Sequence, residues 1–223
     1  MPDRIILWVA HGDVEKIPPI LKILEENGLE IKHCDDLKAY KKLIPALIEF
    51  PDDILITADD DLYYPKNWFK QLKESYLKEP NKIHCHRAHE IGVDKNGNIL
   101  PYDKWKKTIK STDKEAFIFP TNGGGTLFPP HSLDIRSTNV TEFITQGLMA
   151  DDIWFWAMGQ LNGAKYVIIK NGYSKRLNRI ELAGKVIGLW FVNIMEGGND
   201  KCMDAVIKRF PVLMDKLSCN KNY

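Results

Sequence analysis

The chain has 223 residues, 44% of them hydrophobic, and its 31 basic and 30 acidic side chains leave a net charge of +1. That is enough apolar chain to bury a core in one domain, and too little charge bias to draw in nucleic acid or an anionic membrane, so any anion site has to be local. The cysteines (Cys34, Cys85, Cys202, Cys219) are scattered as reduced thiols would be, no signal-peptide pattern opens the chain, and no apolar run nears the ~18 residues of a membrane span, so a cytoplasmic protein is expected.

The apolar run Ile5, Ile6, Leu7, Trp8, Val9 predicts a first strand over 5–9, followed by a helix over 17–26 that stops at Asn27-Gly28. A short strand follows over 29–34. Asp36 can cap an amphipathic helix over 37–50, and a strand over 54–57 runs into Asp59, Asp60 and Asp61. This β-α-β-α-β rhythm predicts an α/β fold with a mainly parallel sheet flanked by helices and right-handed crossovers. A helix over 65–77 with proline in its first turn and a strand over 82–86 complete this half, which spans 1–89.

From 90 to 223 the pattern is irregular. Residues 94–98 (Asp, Lys, Asn, Gly, Asn) predict a hairpin whose Asn-Gly supplies the positive φ angles. A strand is expected over 117–119, a tight backbone passage at Gly123-Gly124-Gly125 and a break at Pro129-Pro130. An aromatic helix over 153–161 follows Asp151 and Asp152, then a strand over 166–169, a basic loop over 170–185 and a last helix over 201–217. Without repeats or a low-complexity linker, the whole of 1–223 reads as a single domain.

Carboxylates at the end of a buried strand stand at the edge of the sheet where open α/β folds bind ligands. Side chains two apart on an extended chain project to one side, so Asp59 and Asp61 are candidates to share a divalent cation such as Mg²⁺ or Mn²⁺, which is held by one or two carboxylates plus substrate phosphates. Solvation of a turn is the bland alternative. It explains one acid, whereas adjacent acids repel unless a cation or hydrogen bonds compensate. Asp151 and Asp152 are read either as helix caps or as a site for a general base beside aromatic walls. Arg87, in the run His84-Cys85-His86-Arg87-Ala88-His89, is either a ligand for phosphate or a substrate hydroxyl, or half of a structural ion pair; zinc-ligand spacing is lacking there. Residues 122–126 lack the Gly-Lys-Ser/Thr of a phosphate loop, and their glycines read as a floor beneath a reacting centre. Trp154 and Trp156 read as core.

Together these motifs resemble bacterial glycosyltransferases of the GT-A fold: residues 53–61 with Tyr64-Pro65 and Trp68, residues 84–89, Gly124-Gly125 with Pro129-Pro130, and residues 150–156 (Ala, Asp, Asp, Ile, Trp, Phe, Trp). The resemblance covers nearly the whole chain and implies a GT-A-like, Rossmann-like fold with a mixed, mainly parallel sheet, acting on a nucleotide-sugar donor. It assigns Asp59 and Asp61 to a Mn²⁺ or Mg²⁺ ion on the diphosphate, Asp60, Arg87, Gly124 and Gly125 to the donor, and Asp152, beside Asp151, to catalysis as the base of an inverting transfer. It also implies a glycan or glycolipid acceptor in surface glycan synthesis, peripheral membrane association through that acceptor, and no nucleic acid. Lys175, Arg176, Arg179 and residues 193–199 are read as a solvated basic face or a cover over the diphosphate.

One departure from the family stands out. The strand over 5–9 matches the family's second strand, so an opening β-α unit of ~30 residues has no counterpart, and weak nucleotide binding is expected. Two other readings follow: a non-catalytic remnant or carbohydrate-binding protein, and a nucleotidyltransferase, although the basic glycine-rich loop of the latter is not found.

Overall fold

A computed structural model of the chain describes residues 1–112, 117–145, 150–170 and 197–218. Strands β1 (Ile5–Ala10) and β2 (Leu29–Cys34) run parallel, Ile5 opposite Leu29 and Ala10 opposite Cys34. A 3-10 turn over His11–Lys16 and helix α1 (Pro19–Glu25) connect them. The helix starts later than the expected 17 because Pro18 and Pro19 have no N–H to donate and suit only its first turn. It ends at Gly28, whose φ of 97° is open to glycine.

The expected helix over 37–50 is broken in two, a 3-10 turn over Lys38–Lys42 and helix α2 (Ile44–Glu49). Pro45 is the reason: inside a continuous helix its ring would collide with the carbonyl four residues back, so a new helix begins around it. Strand β3 (Leu55–Thr57) leads through the aspartate loop to helix α3 (Trp68–Lys78). Pro65 lies ahead of that helix, its carbonyl accepting from the Trp68 N–H in a turn.

Strand β4 (Ile83–Cys85) stops where the His86 N–H turns to the Gly125 carbonyl, and the chain resumes as β5 (Ala88–Glu90) in another sheet. The strand expected over 82–86 is thus present, shorter by one residue at each end. The expected hairpin turn forms at residues 94–98, where Val93 bridges Ile99 antiparallel; within it Gly97 alone has positive φ, and the Asp94 carboxylate accepts from the Asn96 and Asn98 N–H groups.

The remaining elements are β6 (Lys106–Ile109), β7 (Ile118–Pro120), β8 (Thr126–Phe128), α4 (Val140–Thr145), α5 (Asp151–Leu161), β9 (Tyr166–Ile168), α6 (Gly198–Arg209) and α7 (Val212–Ser218). Pro211 divides the expected helix over 201–217 into the last two. Residues 171–185 of the expected basic loop, with Lys175, Arg176 and Arg179, lie outside the described residues, as do 193–196 and Cys219.

Among the described residues the strands form three sheets, ordered β1-β2, β3-β8-β4-β9 and β6-β5-β7. The strands are mixed, as expected, but antiparallel pairings rather than parallel ones prevail. β1 with β2 and β4 with β9 are parallel, while β8 runs antiparallel between β3 and β4. Gly125, at φ 102°, turns the chain from β7 in one sheet back as β8 in the other, between β3 and β4.

The core is built on α5, which is apolar on all sides and therefore enclosed, with Trp154, Phe155, Trp156 and Met158 buried. It packs on β7, α6 and α7. Both tryptophans are core residues, and the Trp154 indole N–H donates to the Ser137 carbonyl at 3.0 Å. No helix among the described residues is long and apolar enough to cross a membrane.

Candidate functional site

The loop after β3 is braced from beneath by aromatic groups. The Asp59 N–H donates to the Tyr64 hydroxyl at 2.7 Å, which donates in turn to the Gly123 carbonyl at 2.9 Å. The Tyr64 ring lies 4.5 Å from that of Trp68, whose indole N–H donates to the Gly124 carbonyl at 2.9 Å. Tyr64 and Trp68 thus fasten the aspartate loop to the glycine turn, and Thr57 Oγ1 reaches the Asn122 and Thr126 carbonyls from β3. The three glycines exist for this contact. A Cβ on Gly123 would overlap the Asp59 carboxylate, one on Gly124 would lie 2.8 Å from the Arg87 Cβ, and one on Gly125 would enter the Trp68 indole.

Across the glycine turn the first residues of α5 carry the second acidic pair. Asp152 Oδ1 accepts from the Asn122 N–H at 2.9 Å, which orients its carboxylate toward the turn. Neither aspartate acts as the cap of its own helix, because Ala150 holds the N-cap position and both lie in the first turn. Burial pushes the Asp152 carboxyl up to about 7, the adjacent Asp151 charge acts in the same direction, and Lys42 and the Asn122 N–H oppose them. Asp151 is raised as well, first by burial, with Lys42 opposing.

Lys42 connects the two acidic groups. Its ammonium donates to Asp59 Oδ1 at 2.6 Å and lies 3.4 Å from Asp151 Oδ2. Burial works to lower its pKa, and Asp151, Asp59 and Asp152 together outweigh that and raise it, so it stays charged. The compensating cation that a run of acids demands is here a side chain of the same protein. Sequence reasoning passed over Lys42 because it sits in a segment read as an ordinary amphipathic helix; the signal available was the excess of carboxylates itself.

Asp59, Asp60, Asp61, Arg87, Asp151 and Asp152 all line one cavity of about 1940 Å³. Gly123 lines it too, while Gly124 and Gly125 back onto Arg87 and Trp68 behind the wall. Arg87 is held by a 2.5 Å bond from its Nε to Thr121 Oγ1, leaving the rest of its guanidinium for the cavity. Glu90, the acid three residues on that could have formed the structural ion pair with Arg87, lies instead 3.9 Å from the Lys106 ammonium.

Of the neighbouring histidines, His84 and His86 are turned into the protein, while His89 lines the cavity beside Arg87. His84 Nε2–H donates to the Glu79 carbonyl while Nδ1 accepts from Ser75 Oγ, and His86 Nε2–H donates to the Trp68 carbonyl. His89 Nδ1 accepts from the Thr108 N–H. Burial lowers the pKa of all three, that of His89 to about 4, so they are neutral at physiological pH. Among the described residues no three His, Cys, Asp or Glu side chains cluster as a complete metal cage. Asp59 and Asp61 place carboxylate oxygens on the cavity wall, with Lys42 already on one Asp59 oxygen.

Fold and site together define a mixed α/β protein with two groups of carboxylates, joined by a partly buried lysine, on one large cavity. No protein-family model matches the chain, and no curated protein matches it at a significant level.

Proposed function

We propose that the protein is a glycosyltransferase that moves a sugar from a nucleoside-diphosphate sugar to a hydroxyl acceptor with inversion. The observation that carries this reading is Asp152. A carboxyl raised to about 7 in the same cavity as Asp59 and Asp61 has the proton affinity a general base needs near neutral pH. Asp152 accepts the proton of the acceptor hydroxyl while that oxygen forms the new bond to the anomeric carbon. The bond from that carbon to the diphosphate oxygen breaks, and the nucleoside diphosphate leaves with its electron pair.

Asp59 and Asp61 would hold a divalent cation, which supplies charge neutralisation to the leaving diphosphate. Arg87 binds phosphate or donor hydroxyls, Asp60 contacts the donor sugar or ribose, and Gly123 lets the substrate approach the backbone. Lys42 holds Asp59 in position and offsets the charge of Asp151, so that the base next to it is not surrounded by uncompensated anions.

Incubation with a panel of nucleotide sugars and Mn²⁺ tests the proposal. Release of nucleoside diphosphate that is lost in Asp152→Asn, with donor binding retained by calorimetry, is the expected result. Pyrophosphate release would indicate a nucleotidyltransferase, and silence with every donor, or normal turnover by Asp152→Asn, would reject the assignment.

A further inference from the structure

One stretch of the cavity wall is made by the start of α6 and by the paired strands β5 and β6. Asn199, in the first turn of α6, is 9% exposed and lines the cavity, and its side-chain amide has no hydrogen-bond partner among the described residues. The next residue, Asp200, accepts from the Tyr102 N–H at 2.7 Å, which sets Tyr102 beside Asn199 on the same wall. The Tyr102 ring lies 5.9 Å from that of His89. Burial raises the pKa of the Tyr102 hydroxyl, the charge of Asp152 adds to the effect and Arg87 opposes it, so the hydroxyl keeps its proton.

Opposite His89 the sheet carries a bulge. Ala88 pairs with Ile109 and Glu90 with Lys106, so Lys107 and Thr108 together face a single residue. Thr108 takes φ 55°, a left-handed conformation that β-branched residues avoid. Its N–H donates to His89 Nδ1 at 3.0 Å, which leaves the imidazole proton on Nε2. Backbone strain of this kind collects at binding sites, and here it belongs to a residue of the cavity wall. Lys107 is engaged elsewhere: its ammonium donates to the Tyr102 carbonyl and lies 3.2 Å from the centre of the Tyr102 ring, and it does not line the cavity.

We propose that His89, Tyr102, Thr108 and Asn199 form a subsite that binds one uncharged pyranose ring of the acceptor and selects against charged acceptors. Every polar group the four side chains present is neutral: two hydroxyls, an amide and an imidazole N–H. Hydroxyl and amide groups both donate and accept, as sugar hydroxyls do, and Phe119 adds an apolar surface to the wall for the C–H groups of the ring. A buried amide without a protein partner favours a ligand that satisfies it and disfavours one that does not. A uronate or a phosphate would bring its negative charge toward Asp151, Asp152 and Asp200, and like charges brought together in this way cost affinity. The subsite rests on the reading of Asp152 as the base of a sugar transfer, because Tyr102 lies within the field of that carboxylate.

Saturation-transfer nuclear magnetic resonance on the 223-residue protein alone provides the test, with methyl hexopyranosides, a methyl hexuronoside and methyl phosphate as probes. At least one hexopyranoside is expected to bind, and both anions ~10-fold more weakly or worse. Asn199→Ala removes an amide that no protein group uses, and should weaken hexopyranoside binding roughly fivefold. Thr108→Gly should weaken it as well without lowering the melting temperature, because glycine adopts φ 55° freely. A Thr108 with only a structural role would not separate those two readouts. Absence of binding by every hexopyranoside, anions that bind as tightly, or unchanged binding in both variants would overturn the proposal. Nucleoside diphosphate release is measured separately, so sugar binding that persists while every donor is silent rejects the transfer, and release that persists without sugar binding rejects the subsite.

Discussion

The ammonium of Lys42 lies 2.6 Å from Asp59 and 3.4 Å from Asp151, joining a loop after β3 to the first turn of α5 across 17 residues of sequence on one side and far more on the other. Lys42 retains 18% of its side-chain exposure and Asp151 10%, so little solvent screens the pair. Removing the cation strands a partly buried carboxylate on each side of it. Lys42→Met should therefore destabilise the fold by ~3 kcal/mol near neutral pH. Lys41→Met, which touches Asp36 at the surface, should cost under ~1 kcal/mol. Urea denaturation of both variants checks the contrast, and equal midpoints would remove Lys42 from its structural role.

Asp152 gives the fold a pH dependence of definite sign. Its carboxyl holds the proton more tightly folded than unfolded, so its contribution to stability is fully present below the ordinary value of 3.8 and is lost as pH rises through about 7. Asp152→Asn cannot ionise and can still accept from the Asn122 N–H. It should match the parent at about pH 4 and exceed it by up to ~4 kcal/mol at about pH 8. Chemical denaturation at the two pH values measures the difference; a variant that is less stable at the higher pH refutes the desolvated carboxyl.

For the proposed transfer, the same group sets the rate. The base works deprotonated, so kcat/KM is expected to rise about tenfold per pH unit up to a break near 7 and then level off. Replacing Asp60 with Asn should leave that break unmoved while weakening donor affinity. A pH profile flat from about 5 to 8 would rule out Asp152 as the base.

Gly125 and Gly28 both have positive φ, at 102° and 97°, but only the first has a neighbour in the way. A methyl at Gly125 meets the Trp68 indole that also supports the aspartate loop, whereas around Gly28 there is open space. Gly125→Ala is expected to cost ~3 kcal/mol from overpacking added to backbone strain, and Gly28→Ala ~1 kcal/mol from strain alone. Thermal melts should separate them by several degrees, and identical melting temperatures would count against the close approach.

Tyr64→Phe removes one hydroxyl from two partners, the Asp59 N–H and the Gly123 carbonyl. Leaving both unsatisfied should cost ~2 kcal/mol and loosen the aspartate loop. Nuclear magnetic resonance line widths or exchange at Asp59 would register the change; an unaltered Asp59 amide would not fit.

Much of the local structure was legible. The apolar runs placed β1, β2 and β3 within a residue or so, the aspartates were placed at a strand end, and Asp151 and Asp152 at a helix start. Two errors share one cause. At Pro45 and Pro211 the apolar periodicity runs on through a residue that stops a helix for steric reasons, so each pattern read as one helix is two. The strand expected over 82–86 ends at Cys85 because the His86 N–H bonds to the Gly125 carbonyl, far along the chain.

By itself, then, the sequence determined the first three strands and the long aromatic helix, where the carboxylates stand and where the backbone passes tightly through glycine, because those depend on side-chain period, capping and sterics within a few residues. Only the tertiary structure decided that β8 threads antiparallel between β3 and β4, that β1 and β3 do not pair, and that Lys42 is the cation between the two acidic groups. Each of these is a contact between groups distant in sequence, set by which surfaces are buried together and which charges are left to neutralise one another there, and no local pattern encodes that choice.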